Sequence, residues 1–339
     1  MGILVRKLFT IIGLAFAEVV SGDPQILKVH HPLPISSTAH QEIIIPWCDA
    51  INTASQGELK CQIYPSMQLG GSVPQLIDQL RDGVVDVIWT LPGFSPGRFP
   101  KTEVFELPFM IHDAEAASVA VWDYVSKYAV GEYSSMKLLG FHVHGGGVFH
   151  TVNRLVRDES DLRQMKIRAP TRPTTRFLGL LGAVPVGMPV PQVPEALTKG
   201  VIDGTLLPYE VMPALRVNEL TNYHSEPNLG QPKIYTSVFL FAMNEARFLS
   251  LSNDLQEIIM ANSGPDLSRQ MGRTFKNAET KNRALLNSES IHVLDDEIIV
   301  KWRQLSEPLA DSWMRELGAE GEHLYIQALS LIRYYEELE

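Results

Sequence analysis

From residue 26 to residue 89 the apolar positions switch repeatedly between a two-residue and a three-to-four-residue period. Ile26 to His30 reads apolar at every second position, the spacing of a strand with one buried face. Ser36, Ser37 and Thr38 then offer N-cap oxygens for a helix over 37–55. A strand over 59–64, a helix over 73–81 and a short buried-strand run over 84–89 follow. Alternating βα units predict a parallel sheet covered on both faces, with ligands bound beyond the carboxyl ends of its strands. Trp89 falls at such an end.

The next eleven residues, 90–100, are dense in Pro and Gly and read as a loop, which makes Leu91 and Phe94 candidates to line a cleft. An extended stretch over 138–152 is interrupted by Gly145, Gly146 and Gly147, a triplet that permits a bend or a close backbone approach. The chain is expected to cross there into a second lobe and to return through the apolar strand 235–243. A helix over 253–263 and long helical segments from Asp266 complete it. These elements predict the α/β fold class with long C-terminal helices. Residues 23–147 and 235–285 are assigned to the first lobe, and 148–234 and 286–339 to the second.

The richest stretch for chemistry is 165–208, where Arg168 stands beside a proline break at the end of a short strand. A guanidinium donates two parallel hydrogen bonds to both oxygens of a carboxylate, so an Arg at a strand end is a natural receptor for an organic acid.

The same stretch carries a resemblance. KIRAP (166–170), GAVPVGMP (182–189) and GVIDG (200–204), preceded by IYPSMQLGGSVPQLIDQLRDGVVDVIW (63–89) and FELPFM (105–110), resemble the solute-binding proteins of TRAP (tripartite ATP-independent periplasmic) transporters, the C4-dicarboxylate-binding type. That resemblance implies a two-lobed, periplasmic-binding-protein-like fold with a hinge, a receptor that closes on an acid between the lobes and delivers it to membrane permease subunits. It also implies that Arg168, the arginine of the KIR motif, clamps the ligand carboxylate.

Departures from the family pattern narrow the ligand. Members that bind hydroxylated or doubly charged acids often carry a Glu after the strand matching 84–89, a second Arg before the KIR motif and an Asn in GQENP. Ungapped counting puts Leu91, Val148 and Leu207 at those positions. A hydroxyl or second carboxylate buried against such residues loses water without gaining a partner, at a cost of roughly 1 to 3 kcal/mol per group. The expected ligand is an apolar or aromatic monocarboxylate, with Trp89, Phe94, Phe149 and Tyr209 as rings to enclose it. Thr171 and Arg172, just past Pro170, complete the candidate set, Arg172 as a second clamp or a solvated helix-start residue. The alternatives are a C4-dicarboxylate or sugar-acid receptor, or a periplasmic enzyme or sensor partner on this fold.

Further features change the picture. Arg6 and Lys7 followed by the apolar run Leu8 to Ala17 read as a signal peptide over 1–22, which places the mature chain in the periplasm. An oxidising compartment permits a Cys48–Cys61 disulfide, although the residues equally suit two buried small hydrophobes. The net charge of -10 over 339 residues argues against nucleic acid as a partner. His30, His31, His142, His144 and His150 cluster along the chain without metal-ligand spacing, and no nucleophile elbow, phosphate loop or dinucleotide fingerprint is present. No cofactor, metal or catalytic residue is expected.

Overall fold

The computed structural model describes residues 23–338, so the candidate signal peptide lies outside the described residues. The strands are β1 (Gln25–His30), β2 (Leu59–Tyr64), β3 (Val87–Thr90), β4 (Met136–Val143), β5 (Val148–Thr151), β6 (Lys166–Ala169), β7 (Val184–Gly187), β8 (Gly204–Leu207), β9 (Tyr223–Pro227), β10 (Val238–Asn244) and β11 (Ile291–Leu294). The helices are α1 (Ile45–Ala54), α2 (Leu76–Arg81), α3 (Ala114–Tyr124), α4 (Arg172–Leu180), α5 (Val193–Thr198), α6 (Met212–Leu215), α7 (Glu245–Leu249), α8 (Asn253–Ala261), α9 (Pro265–Arg283), α10 (Asp296–Glu316) and α11 (Gly321–Glu336).

Two sheets organise these elements, with strand orders β2-β1-β3-β10-β4 and β11-β9-β5-β8-β6-β7. Within the first, β1 runs parallel to β2 and β3, while β10 is antiparallel to both its neighbours. Within the second, β6 is parallel to β7 and β8, and β5 is antiparallel to β8 and β9. The simple parallel sheet expected from the βα alternation is thus a mixed one. The reason lies in the crossings. A strand that arrives from the other sheet starts at the shared end, so β5 and β10 run against neighbours whose carboxyl ends point there.

The extended run over 138–152 divides into β4 and β5, one in each sheet, joined by the glycine triplet. A Cβ on Gly147 would stand 1.8 Å from Cε1 of Tyr235, so only glycine lets the connection pass beneath that ring. The helix expected over 37–55 opens with a wide-turn segment, Ala39–Ile44, before α1. Cys48 on α1 and Cys61 on β2 are joined by a disulfide with a Cα separation of 5.7 Å, which pins that helix to the sheet edge.

The C-terminal helices are shared between the two layers. Of this pair, α10 packs on α4, whereas α11 packs on α3. Tyr335 donates its hydroxyl to Asp123 at 2.9 Å, and Tyr128 donates to Gln327 at 2.9 Å. A division that gives all of 286–339 to the second lobe therefore separates α11 from the helix it lies on. Heptad-like apolar spacing tells that a helix buries a stripe, but not which partner covers it. Among the described residues no helix is long and apolar enough to cross a membrane.

Candidate functional site

Lys166–Ala169 forms a strand because its residues alternate and are flanked by partners on both sides. Pro170 stops the ladder, and Pro173 opens α4. Arg168 consequently sits at the carboxyl end of β6, between the ends of β7 and β8. Its Nε donates to the Met188 carbonyl and its Nη1 to the Leu206 carbonyl, each at 3.0 Å. The side chain is 2% exposed, and burial lowers its pKa to about 10, partly offset by the adjacent Tyr235 hydroxyl. Among the described residues Arg168 has no carboxylate partner, in contrast to Arg172, Arg273 and Arg283, which are ion-paired.

Arg168 opens onto a cavity of about 460 Å³ of atom-free space, part of it open to solvent, between the carboxyl-end edges of the two sheets. The first sheet contributes Trp89, Leu91, Phe94 and Phe239, and α9 contributes Phe275. Leu207, Pro208, Glu210 and Val211 come from the end of β8 and the turn after it. Trp89 stacks on Phe239 at a centroid distance of 4.8 Å, and its Nε1–H donates to Nε2 of His142 at 2.9 Å. His142 therefore carries its proton on Nδ1, which faces the Val143 carbonyl at 3.3 Å. Burial lowers His142 and His144 to about 3, which keeps both rings neutral at physiological pH. The cavity then holds one firm positive charge, on Arg168, within hydrocarbon and ring surface.

Of the residues expected from sequence, Arg168, Trp89, Leu91, Phe94 and Leu207 come together around this cavity. Four do not. Phe149 lies on β5 with its ring edge-on to Trp302 of α10, at 5.7 Å, because alternation along the strand turns it to the helix-covered face. Tyr209 begins a tight turn after Pro208 that sends its hydroxyl away, to Glu226 at 2.9 Å. Thr171 is buried at the N-cap of α4, its hydroxyl 3.1 Å from that of Thr174.

Arg172 does not line the cavity; it sits at the start of α4, partly exposed and ion-paired. Its Nε donates to Glu103 at 2.9 Å and its Nη1 to Glu316 at 2.6 Å, and these acids hold its pKa above the usual range. Val148, the third apolar replacement, lines a different groove, beside Gly145 and Glu279. Ungapped counting assumes equal loop lengths, and connections between elements are where lengths vary most.

Sequence reasoning missed Tyr235, Ser237, Phe239, Phe275, Glu210, Pro32 and Leu33, all of which border the cavity. Pro32 and Leu33 follow the end of β1, so the strand-end rule that found Trp89 could have named them. Ser237 and Phe239 enter at the start of a strand that runs the opposite way, and no local signal marks that. His144 borders the cavity as well, and the backbone N–H groups of Gly146 and Ser237 each stand 3.1 Å from one of its ring nitrogens. Among the described residues no group of His, Cys, Asp and Glu side chains is arranged to hold a metal ion.

Comparison with known proteins agrees with this architecture. A TRAP solute-binding protein from Rhodoferax ferrireducens, solved with copurified benzoate, is 40% identical with a TM-score of 0.90, covering 93% of this chain and 99% of its own. Another, from a marine metagenome and specific for aromatic acid ligands, was solved with 3-hydroxybenzoate; it is 40% identical, TM-score 0.89, covering 92% and 99%. A periplasmic relative from Bordetella bronchiseptica with bound mandelate is 26% identical, TM-score 0.84, covering 93% and 100%. The family model for the bacterial extracellular solute-binding proteins, family 7, matches residues 29–317. With two mixed sheets, a cavity between their ends and this match over most of its length, the chain belongs to that family, as a TRAP solute-binding protein.

Proposed function

We propose that this protein is the extracytoplasmic receptor of a TRAP transporter for an aromatic monocarboxylate, bound in the cavity between the sheets with its carboxylate on Arg168. One observation carries the reading. Arg168 is almost fully buried and spends two donors on backbone carbonyls, yet it has no carboxylate partner among the described residues while the walls opposite are aromatic and aliphatic. A buried cation held only by neutral dipoles is costly, and an anionic ligand compensates it. Trp89, Phe94, Leu91, Leu207, Phe239 and Phe275 supply the apolar surface for the ring. The relatives solved with benzoate, 3-hydroxybenzoate and mandelate all hold monocarboxylates with a ring, which supports the same class here.

The rest of the reading follows the family. The N-terminal segment directs export to the periplasm, where the Cys48–Cys61 disulfide is stable. The two lobes close on the acid, and the closed form is handed unchanged to membrane permease subunits. The discriminating experiment is calorimetry with benzoate, mandelate, succinate and galactonate, followed by recovery of the ligand. Benzoate or mandelate should bind at least tenfold tighter than succinate or galactonate and be returned intact. Tighter binding of succinate or galactonate overturns the apolar-acid assignment, and chemical turnover overturns the receptor assignment.

A further inference from the structure

Glu210 is the feature of the cavity that an apolar monocarboxylate leaves unexplained. It lines the same cavity as Arg168 and is 3% exposed, and its Oε1 is buried without a hydrogen-bond partner among the described residues. Native proteins rarely strand a buried polar atom, and where they do, the atom calls for a partner from outside the chain. Glu210 and Arg168 do not satisfy one another, since no ion pair joins them. The cavity is thus bordered by a cation at one place and, at another, by a residue whose carboxyl keeps one oxygen unpartnered.

The backbone beneath the carboxyl is also held in position. The turn that carries it, Tyr209–Val211, is tied to α9 from the first sheet's side. Glu279 accepts the backbone N–H of Tyr209 at 3.1 Å and of Glu210 at 2.8 Å, and the Asn282 amide donates to the Glu210 carbonyl at 2.6 Å. A side chain on a turn pinned by three hydrogen bonds is a preorganised acceptor, the condition for reading a ligand group rather than merely tolerating it.

We propose that Glu210 is a specificity-determining residue that accepts a hydrogen bond from a hydroxyl on the ligand's ring, so that the preferred acids are hydroxylated aromatic monocarboxylates. This deepens the function proposed above and rests on it. Burial raises the Glu210 carboxyl to about 7, opposed by the Thr38 hydroxyl. Charged or protonated, it keeps a lone pair for a hydroxyl donor. The same group rejects a second carboxylate on the ligand, because two acids facing each other in a buried site cannot both stay ionised. An aromatic dicarboxylate is then excluded by charge, not only by size.

The test is calorimetry of the full mature chain with benzoate, the 2-, 3- and 4-hydroxybenzoates, and terephthalate, for the wild type, Glu210→Met and Glu210→Gln. At least one hydroxybenzoate should bind the wild type tenfold or more tightly than benzoate. The benzoate-to-hydroxybenzoate ratio of Kd should fall to within about twofold in Glu210→Met, while Glu210→Gln, which keeps an acceptor oxygen, retains part of it and binds terephthalate better than the wild type does. A purely structural role weakens all ligands together and leaves the ratio intact, which overturns the proposal. A wild type that binds benzoate but prefers no hydroxybenzoate overturns it alone. If no aromatic acid binds, the aromatic-acid reading falls and this one with it. Should Glu210→Met not fold, the Glu210→Gln ratio and its terephthalate binding decide.

Discussion

Replacing Arg168 by lysine keeps the charge and removes the fork, and the structure says what that removes. The guanidinium has five N–H donors. One is committed to the Met188 carbonyl and one to Leu206, both at 3.0 Å, and Tyr235 lies alongside. The remaining donors are what a ligand carboxylate can use in parallel. A lysine ammonium has three donors in a tetrahedral spread, so it can hold the two carbonyls or a bidentate carboxylate but not both. Losing one charge-assisted hydrogen bond costs about 1.5–3 kcal/mol, which is a loss of affinity of about 10- to 150-fold. Calorimetry with benzoate at pH 7 measures this directly, and a thermal melt of the unliganded variant separates binding loss from unfolding. Arg168→Met should weaken binding beyond the lysine variant because it removes the charge as well. An Arg168→Lys protein that folds and binds benzoate within twofold of the wild type refutes the clamp, since no arrangement of three donors serves all of those acceptors.

Other consequences are open to measurement. Cys48→Ser should lower stability by about 2–4 kcal/mol, because the disulfide closes a loop of 13 residues in sequence separation; chemical denaturation under non-reducing conditions reads it. Gly147→Ala should be strongly destabilising, since its Cβ has no room beside Tyr235, and a Tyr235→Ala background should relieve most of the loss in thermal melts. Burial raises Glu106 and Glu279 to about 8 and Glu210 to about 7, so the folded state holds protons that the unfolded chain releases above its own pKa near 4.5. The stability this gives is complete below about pH 4.5 and is lost as pH rises to about 8. His142 and His144, lowered to about 3, contribute stability that is complete above about 6.5 and lost on acidification. The melting temperature should therefore fall between pH 6.5 and 8.5, less steeply in Glu106→Gln; a flat profile there contradicts the burial argument. Glu279→Ala should destabilise by about 1–3 kcal/mol per N–H left unpaired at Tyr209 and Glu210, and Glu279→Gln by clearly less.

Much of this protein was legible one element at a time. The period of apolar residues located β1, β2 and α2 nearly to the residue, because an amphipathic segment announces the face it buries whatever it packs against. The proline after Ala169 marked the end of β6, and an arginine just before a strand end is an acid receptor by its chemistry alone. Sequence therefore determined the element order, the fold class and the cation at the cavity. Tertiary structure decided which side chains share a space with that cation. Phe149 and Tyr209 have the right chemistry but face away, turned by strand alternation and by the tight turn after Pro208. Phe239, Phe275 and Glu210 arrive from distant segments because the chain crosses between the sheets and reverses strand direction as it does so. Periodicity is a local property, and a cavity between two sheets is assembled from contacts far apart in sequence. Whether Cys48 and Cys61 meet, whether Arg172 pairs with Glu103 and Glu316, and which helix covers α3 are settled by distances that no local pattern encodes.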